Sequence, residues 1–136
     1  DGEQKRYLVD QASALQIEGR TFFLGEKSRS ELPMILNCAD IFALPSFVEG
    51  FPMAVLESLA CGVPVVAVDV GDVSKVVIKG VTGYTVAGRD PKEFKNRLLE
   101  SLVKHENLAE NCVKLSHEYA MSSIAQRILG VLRNNQ

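Results

Sequence analysis

Neither sign of charge dominates this 136-residue chain. Its formal net charge is −2 with 24% charged residues, which offers no electrostatic footing to a nucleic acid or an anionic membrane surface. An unbroken apolar run is also lacking. The longest apolar stretch, 53–68, is interrupted by Glu57, Ser58, Gly62 and Pro64, so it does not read as a spanning helix. No basic-then-apolar leader is visible at the abrupt beginning of the sequence. Cysteine is scarce and odd in number: Cys38, Cys61 and Cys112 form no C-x-x-C pair. Each falls in a helical pattern beside apolar residues, which predicts reduced, packed thiols and a cytosolic setting. No D-x-D near a strand end and no His/Cys/carboxylate cluster with ligand spacing points to a metal. No Ser/His/Asp or Cys/His set stands out either. His105 and His117 lie in polar helical stretches and are expected at the surface. What is there is one domain's length, enough for a real core.

Helical and extended patterns alternate along that length. Leu8, Ala12 and Leu15 follow i, i+4, i+7 spacing and predict an amphipathic helix over 3–17. Residues 21–24 read as a short strand ended by Gly25. Ser30 is the expected N-cap of a helix over 31–38, with Pro33 in its first turn. Residues 41–44 and 65–68 are apolar runs between turn residues, as expected of strands buried on both faces. A short helix over 74–78, a strand over 84–87 and a helix from Pro91 to about His105, capped by Asp90, follow. Phe94, Leu98 and Leu102 share one face of that helix. Two further helices are expected over 107–117 and 122–132, the last with Ile124, Ile128, Val131 and Leu132 as its packing stripe. Strands alternating with helices predict a mostly parallel sheet covered on both faces. Ligands bind beyond the carboxyl ends of such strands, where Glu49-Gly50-Phe51 would fall.

The segment Ser46–Gly62, SFVEGFPMAVLESLACG, carries the chemistry. Pro52 suits the first position of a helix over 52–61, because its missing N–H is an orphan there anyway. Gly62 suits the position past the end and Pro64 prevents continuation. Met53, Ala54, Val55, Leu56, Leu59 and Ala60 would supply the apolar surface of a buried helix. Within it Glu57 is anomalous, since a carboxylate there points into a crevice or needs a partner. Free amides of the first turn, notably those of Met53 and Ala54, would form an anion site beside it. An anion site flanked by the two carboxylates Glu49 and Glu57, each able to accept from vicinal hydroxyls, suits a nucleotide sugar.

The pattern Glu49-x7-Glu57 within ADIFALPSFVEGFPMAVLESLACGVPVVAVDVG resembles the donor-binding signature of retaining glycosyltransferases of family 4. The resemblance runs almost end to end. Asp1-Gly2 is similar to the end of a strand in that family's second domain, Phe22-Phe23-Leu24-Gly25 to the next strand and turn, and Gly80-Val81-Thr82-Gly83 to a later turn. It implies an α/β, Rossmann-like parallel sheet with helices on both faces, the donor-binding domain of a two-domain GT-B enzyme. Residues 1–136 would then be a partial carboxy-terminal domain lacking its first strand, most of its second and a basic phosphate-binding loop. The acceptor-binding domain would come earlier still. In the family's sheet order the missing strands lie between 21–24 and 41–44. That predicts marginal stability or pairing with another chain for this piece, and no transferase activity by itself.

By the same resemblance Glu49 hydrogen-bonds the hydroxyls of the transferred sugar and Glu57 accepts from the ribose. Amides near Gly50, Phe51, Met53 and Ala54 contact sugar and phosphate oxygens, Leu24-Gly25 contacts the base through backbone atoms, and Ser46 lies near the phosphates or serves as a turn residue. Phe51 is read as a packing residue rather than a stacking platform. Pro52 stands where many members carry glycine, which removes one donor. At Gly71-Asp72-Val73-Ser74-Lys75 the chain departs from the family, which often has a second glycine at position 72 and a glutamate at 75. The implied partners are a UDP- or GDP-sugar donor, a saccharide or lipid-linked acceptor and the amino-terminal domain, with no metal or other cofactor. The implied setting is cytoplasmic, with membrane association at the inner face only through the parent enzyme. Two alternatives stay open: a non-catalytic sugar-nucleotide-binding or interaction module, and a sugar-nucleotide epimerase or phosphorylase of related fold.

Overall fold

The computed structural model describes the backbone of residues 2–134 and the side chains of residues 2–127. Asp1 and the side chains of Ile128, Val131 and Leu132, three of the four residues of the expected last stripe, lie outside the described residues. The chain divides into two compact units, Asp1–Leu32 and Pro33–Gln136.

The first unit holds α1 (Lys5–Ala14), a 3₁₀ turn (Glu18–Arg20) and an extended segment. The Gly2 carbonyl accepts from Lys5 N–H and opens the turn into α1. Ala12 is buried as expected, but Leu8 and Leu15 are exposed. Residues 21–24 are not a strand. Thr21 has extended dihedrals (φ −115°, ψ 119°), yet no described strand pairs with the segment and Phe22 is 79% exposed. A strand exists through its ladder, and an apolar run without one stays merely extended. The unit closes with a side-chain cap: Ser28 N–H and Oγ both donate to Glu31 Oε2, at 2.9 and 2.7 Å, and Glu31 N–H donates to the Ser28 carbonyl at 3.0 Å. Ser28, not Ser30, therefore starts the turn leading into α2 (Leu32–Leu36), with the Glu31 carboxylate reaching back to the Ser28 N–H as in half of a capping box.

In the second unit β1 (Phe42–Leu44), β2 (Val65–Val68) and β3 (Gly83–Val86) form a parallel sheet in the order β1-β2-β3. They are interleaved with α3 (Met53–Ala60) and α4 (Val73–Val76) and followed by α5 (Pro91–Val103), α6 (His105–Glu118) and α7 (Met121–Asn134). The expected α/β parallel architecture is what the chain adopts. β2 is buried at all four residues, whereas β1 is not buried on both faces: it is an edge strand with Ala43 exposed. Val65 and Ala67 join Val55, Leu59, Val73, Val76, Val77 and Cys112 in a core with α3, α4 and α6. Val66 and Val68 point the other way by strand alternation, toward the side on which α5 packs.

α5 begins as its sequence predicts, with Asp90 Oδ1 accepting from Lys92 N–H at 2.9 Å. α6 follows directly, hinged at Lys104, which caps the end of one helix and the start of the next. Tyr84, 1% exposed, is boxed in by α5: Lys104 Nζ donates to its hydroxyl at 3.2 Å and the Arg97 guanidinium lies 5.6 Å from its ring centroid. No described helix is long and apolar enough to cross a membrane.

Candidate functional site

A parallel sheet sends every strand's carboxyl end to one edge. Here that edge gathers residues 45–52 after β1, 69–72 after β2 and 87–90 after β3. Three contacts knit the loops together. Gly50 carbonyl accepts from Asp72 N–H at 3.3 Å. Gly71 (φ +57°) lies directly against the backbone of Glu49 and Gly50, where a Cβ would overlap the Glu49 carbonyl oxygen. Arg89 lies with its guanidinium carbon 3.6 Å from the Phe47 ring centroid and donates from Nη2 to the Phe47 carbonyl at 3.4 Å. At the far end of the first loop Phe51 meets Tyr119, ring centroids 6.0 Å apart, and the Tyr119 hydroxyl donates to the Lys75 carbonyl at 3.3 Å.

α3 follows with Pro52 as its N-cap residue, one place earlier than expected, and Cys61 as its C-cap. Gly62, at φ +73°, supplies the left-handed residue that ends the helix. The helix is not buried all round. Val55, Ser58 and Leu59 face the core, whereas Met53 is 58% exposed and Ala54 and Ala60 are exposed as well. Ser58 can occupy the core face because its hydroxyl donates to the Val63 carbonyl at 3.0 Å. Glu57 shares the outward stripe with Met53 and Ala54, at i+4 and i+3. It is half-buried and its carboxylate makes no hydrogen bond or ion pair among the described residues, so both carboxylate oxygens remain to accept from a ligand. Glu49 is likewise half-buried and unpaired there.

The anion site is narrower than the sequence suggests. Met53 N–H is not free: it donates to the Phe51 carbonyl at 2.9 Å. Val55 and Leu56 N–H both donate to the Pro52 carbonyl, at 3.0 and 3.3 Å. Ala54 is thus the first-turn residue of α3 whose amide keeps no acceptor among the described residues, together with the loop amides of Gly50 and Phe51. The tight loop-to-helix turn across Pro52 causes this, because it folds two carbonyls back over the helix start. The Ser46 hydroxyl makes no bond either and is half-buried where β1 ends. Ser46, Glu49, Gly50, Phe51, Ala54 and Glu57 therefore share one loop-and-helix entry. Leu24, 53% exposed, and Gly25 (φ +69°) belong to the other unit, after the extended segment.

The departures at 72 and 75 answer each other. Lys75 Nζ lies 2.8 Å from Asp72 Oδ1, and Lys75 remains 66% exposed on that pair. Asp72 takes an ordinary backbone (φ −96°) as N-cap of α4, so the left-handed conformation falls on Gly71 alone. Beside the three loops lies a mainly apolar cavity of about 330 Å3 between Pro45, Val68 and Arg89 and the α5 residues Phe94, Lys95 and Leu98. A larger cavity, about 550 Å3, lies between α6 and α7 at His117 and Arg127 and includes neither glutamate. His117 is exposed, as expected, and His105 half-buried. Among the described residues no group of three or more His, Cys, Asp or Glu is placed to hold a metal. Cys38 is exposed in the turn after α2, not packed in a helix as expected, whereas Cys112 is buried. Sequence reasoning passed over Arg89, Phe47 and Tyr119; the signal for Arg89 was its place after β3, immediately before the Asp90 cap.

A parallel α/β unit whose three strand-end loops converge beside a helix start has its ligand-binding edge there. The family model described as glycosyl transferases group 1 matches residues 1–118, and the chain belongs to that family. It is 33% identical over 132 residues to a D-inositol 3-phosphate glycosyltransferase of Salinispora tropica, covering 95% of this chain and 27% of that protein. It is 38% identical over 90 residues to a glycogen synthase of Mycobacterium tuberculosis, covering 66% of this chain and 22% of that protein. Among solved structures it matches Anabaena HepE in complex with UDP-glucose, with TM-score 0.79 and 28% identity, over 98% of this chain and 38% of that one. Sucrose-phosphate synthase from Thermosynechococcus elongatus has the same fold, with TM-score 0.84 at 24% identity, over 98% of this chain and 34% of that one. The chain spans about a fifth to two fifths of the length of these relatives.

Proposed function

We propose that residues 1–136 are part of the donor-binding domain of a retaining, family 4 glycosyltransferase. The parent enzyme would move a sugar from a nucleotide sugar to a saccharide or lipid-linked acceptor. The observation that carries this reading is the pair of half-buried, unpartnered carboxylates Glu49 and Glu57 on either side of the open Gly50, Phe51 and Ala54 amides. Glu49 accepts from the hydroxyls of the transferred sugar, Glu57 from the ribose diol, and the open amides from sugar and phosphate oxygens. Ser46 lies near the phosphates, Met53 lends packing rather than an amide, and Leu24 and Gly25 contact the base. In the reaction the anomeric C–O bond to the diphosphate breaks, a bond to the acceptor oxygen forms, and the departing diphosphate takes up the acceptor hydroxyl's proton. Amides aimed at the departing diphosphate oppose its growing charge, and closure of the cleft supplies proximity. A cytoplasmic setting belongs to the same proposal and is supported by three free thiols.

HepE is a structural neighbour bound to UDP-glucose, so UDP-glucose is the first probe. Titration of the protein with UDP, GDP and their sugar conjugates, followed by amide chemical shifts, should give saturable binding with shifts at Gly50, Phe51 and Ala54. Glu57→Ala should weaken it by roughly 10- to 150-fold, the scale of charge-assisted hydrogen bonds. Saturable binding that is indifferent to Glu57→Ala would refute the assignment.

A further inference from the structure

Residues 46–48 carry little that holds them. Phe47 and Val48 are 70% and 84% exposed, and the only hydrogen bond made by residues 46–48 among the described residues is the one from Arg89 to the Phe47 carbonyl. Gly50 and Phe51, by contrast, are tied to Asp72 and Met53. Arg89 grips Phe47 twice, by stacking on the ring at 3.6 Å and by donating to the carbonyl at 3.4 Å. A planar, delocalised guanidinium makes both contacts at once; an ammonium does not. Its own root is firm, since Asp90 next to it is the hydrogen-bonded cap of α5. Glu49, two residues beyond Phe47, is thereby held between this grip and the Gly71–Asp72 backbone.

We propose that Arg89 is a positioning residue for the sugar-holding carboxylate, fixing the course of residues 47–49 through Phe47. The proposal rests on the donor-domain reading above. It makes a distinction that neither a folding role nor a direct charge contact with the diphosphate makes. Glu57 stands on α3 and Ser46 where β1 ends, both outside the stretch that Arg89 fixes, so loss of the grip disturbs the sugar end of the donor and spares the nucleotide end.

The test compares UDP-glucose with UDP on the full-length protein and on Arg89→Ala, Arg89→Lys, Phe47→Ala, Phe47→Tyr and the double alanine variant, with amide exchange of the free protein alongside. Arg89→Ala and Phe47→Ala should each weaken UDP-glucose about three- to tenfold, on the scale of an exposed cation–π contact and one hydrogen bond. UDP affinity should stay within about twofold of the parent's, following Glu57. Arg89→Lys should behave as the alanine variant does, Phe47→Tyr as the parent does, and the double variant should be no weaker than either single one. Exchange at Val48–Phe51 should quicken in Arg89→Ala. Equal losses for both ligands, multiplying losses in the double variant, or unchanged exchange would each overturn the positioning role. A parent protein that ignores UDP-glucose would overturn the donor reading and this role together, whereas parent binding untouched by Arg89→Ala would overturn this role alone.

Discussion

Replacing Gly71 by alanine should damage the site more than any other single methyl. Two separate costs arise at that position. The backbone sits at φ +57°, a region that costs a residue with a Cβ about 1–2 kcal/mol. The added carbon would also lie 2.9 Å from the Glu49 carbonyl carbon and 3.0 Å from the Gly50 oxygen, with the Glu49 oxygen nearer still. Carbon contacts settle near ~3.5 Å or beyond, so the 49–50 backbone must withdraw by roughly 1 Å. A shift of that size in a positioning group can cost on the order of 100-fold. The expectation is therefore a loss of about 1–3 kcal/mol in unfolding free energy and a more than tenfold loss of UDP-glucose affinity. Urea denaturation and isothermal titration measure the two. Gly88→Ala, in a position where nothing lies within 4 Å of the new carbon, is the control and should change stability by no more than about 0.5 kcal/mol. If Gly71→Ala matches Gly88→Ala in both midpoint and affinity, the backbone crossing is not what holds Glu49.

Acid should loosen the α5 corner. Lys104 first and Arg97 second hold the Glu100 carboxyl down from its ordinary value to about 2. The folded state therefore binds fewer protons than the unfolded state between those values. Stability from this group is complete above pH 4.5 and is lost as pH falls toward about 2; Glu100→Gln should flatten that part of a urea-midpoint profile, and an unaltered slope would count against the pairing. Thiol labelling should be graded. Cys38 is exposed, whereas the Cys112 thiol is buried, donates to the Thr82 carbonyl at 3.6 Å and is pushed up to about 12 by that burial. Mass spectrometry after labelling the folded protein at pH 8 should find Cys38 modified and Cys112 intact until urea is added; early modification of Cys112 would contradict the packing of α6.

What the sequence revealed and what it hid divide along the range of the interactions. β2 and α3 were legible because their determinants are local: the run Val65–Val68, Pro52 at one end of the helix and Gly62 at the other. Residues 21–24 have an equally apolar pattern and yet no ladder, since strand formation depends on a partner that no local pattern records. The buried face of α3 was misread for a related reason. Met53, Ala54 and Ala60 are apolar but outward, while Ser58 is inward because a carbonyl five residues on accepts from it. Within the site the glutamates and open amides lie in one stretch of chain and were legible. Arg89 was not, because its contact with Phe47 spans 42 residues. The pairing of Asp72 with Lys75 could be read only once both were seen on α4.

The carbonyls of Phe51 and Pro52 already close most of the first turn of α3, and this bears on the thermodynamics of recruitment. A helix start left entirely open would gain order only when an anion arrived, and the association would carry the entropy loss of that ordering. Here the chain's own carbonyls already hold most of the turn. Donor binding should therefore proceed with a heat-capacity change that reflects the surface covered and no coupled folding of α3. The selectivity of the seat then lies in the few groups left unsatisfied, the two carboxylates and the open amides, and not in a helix waiting to form.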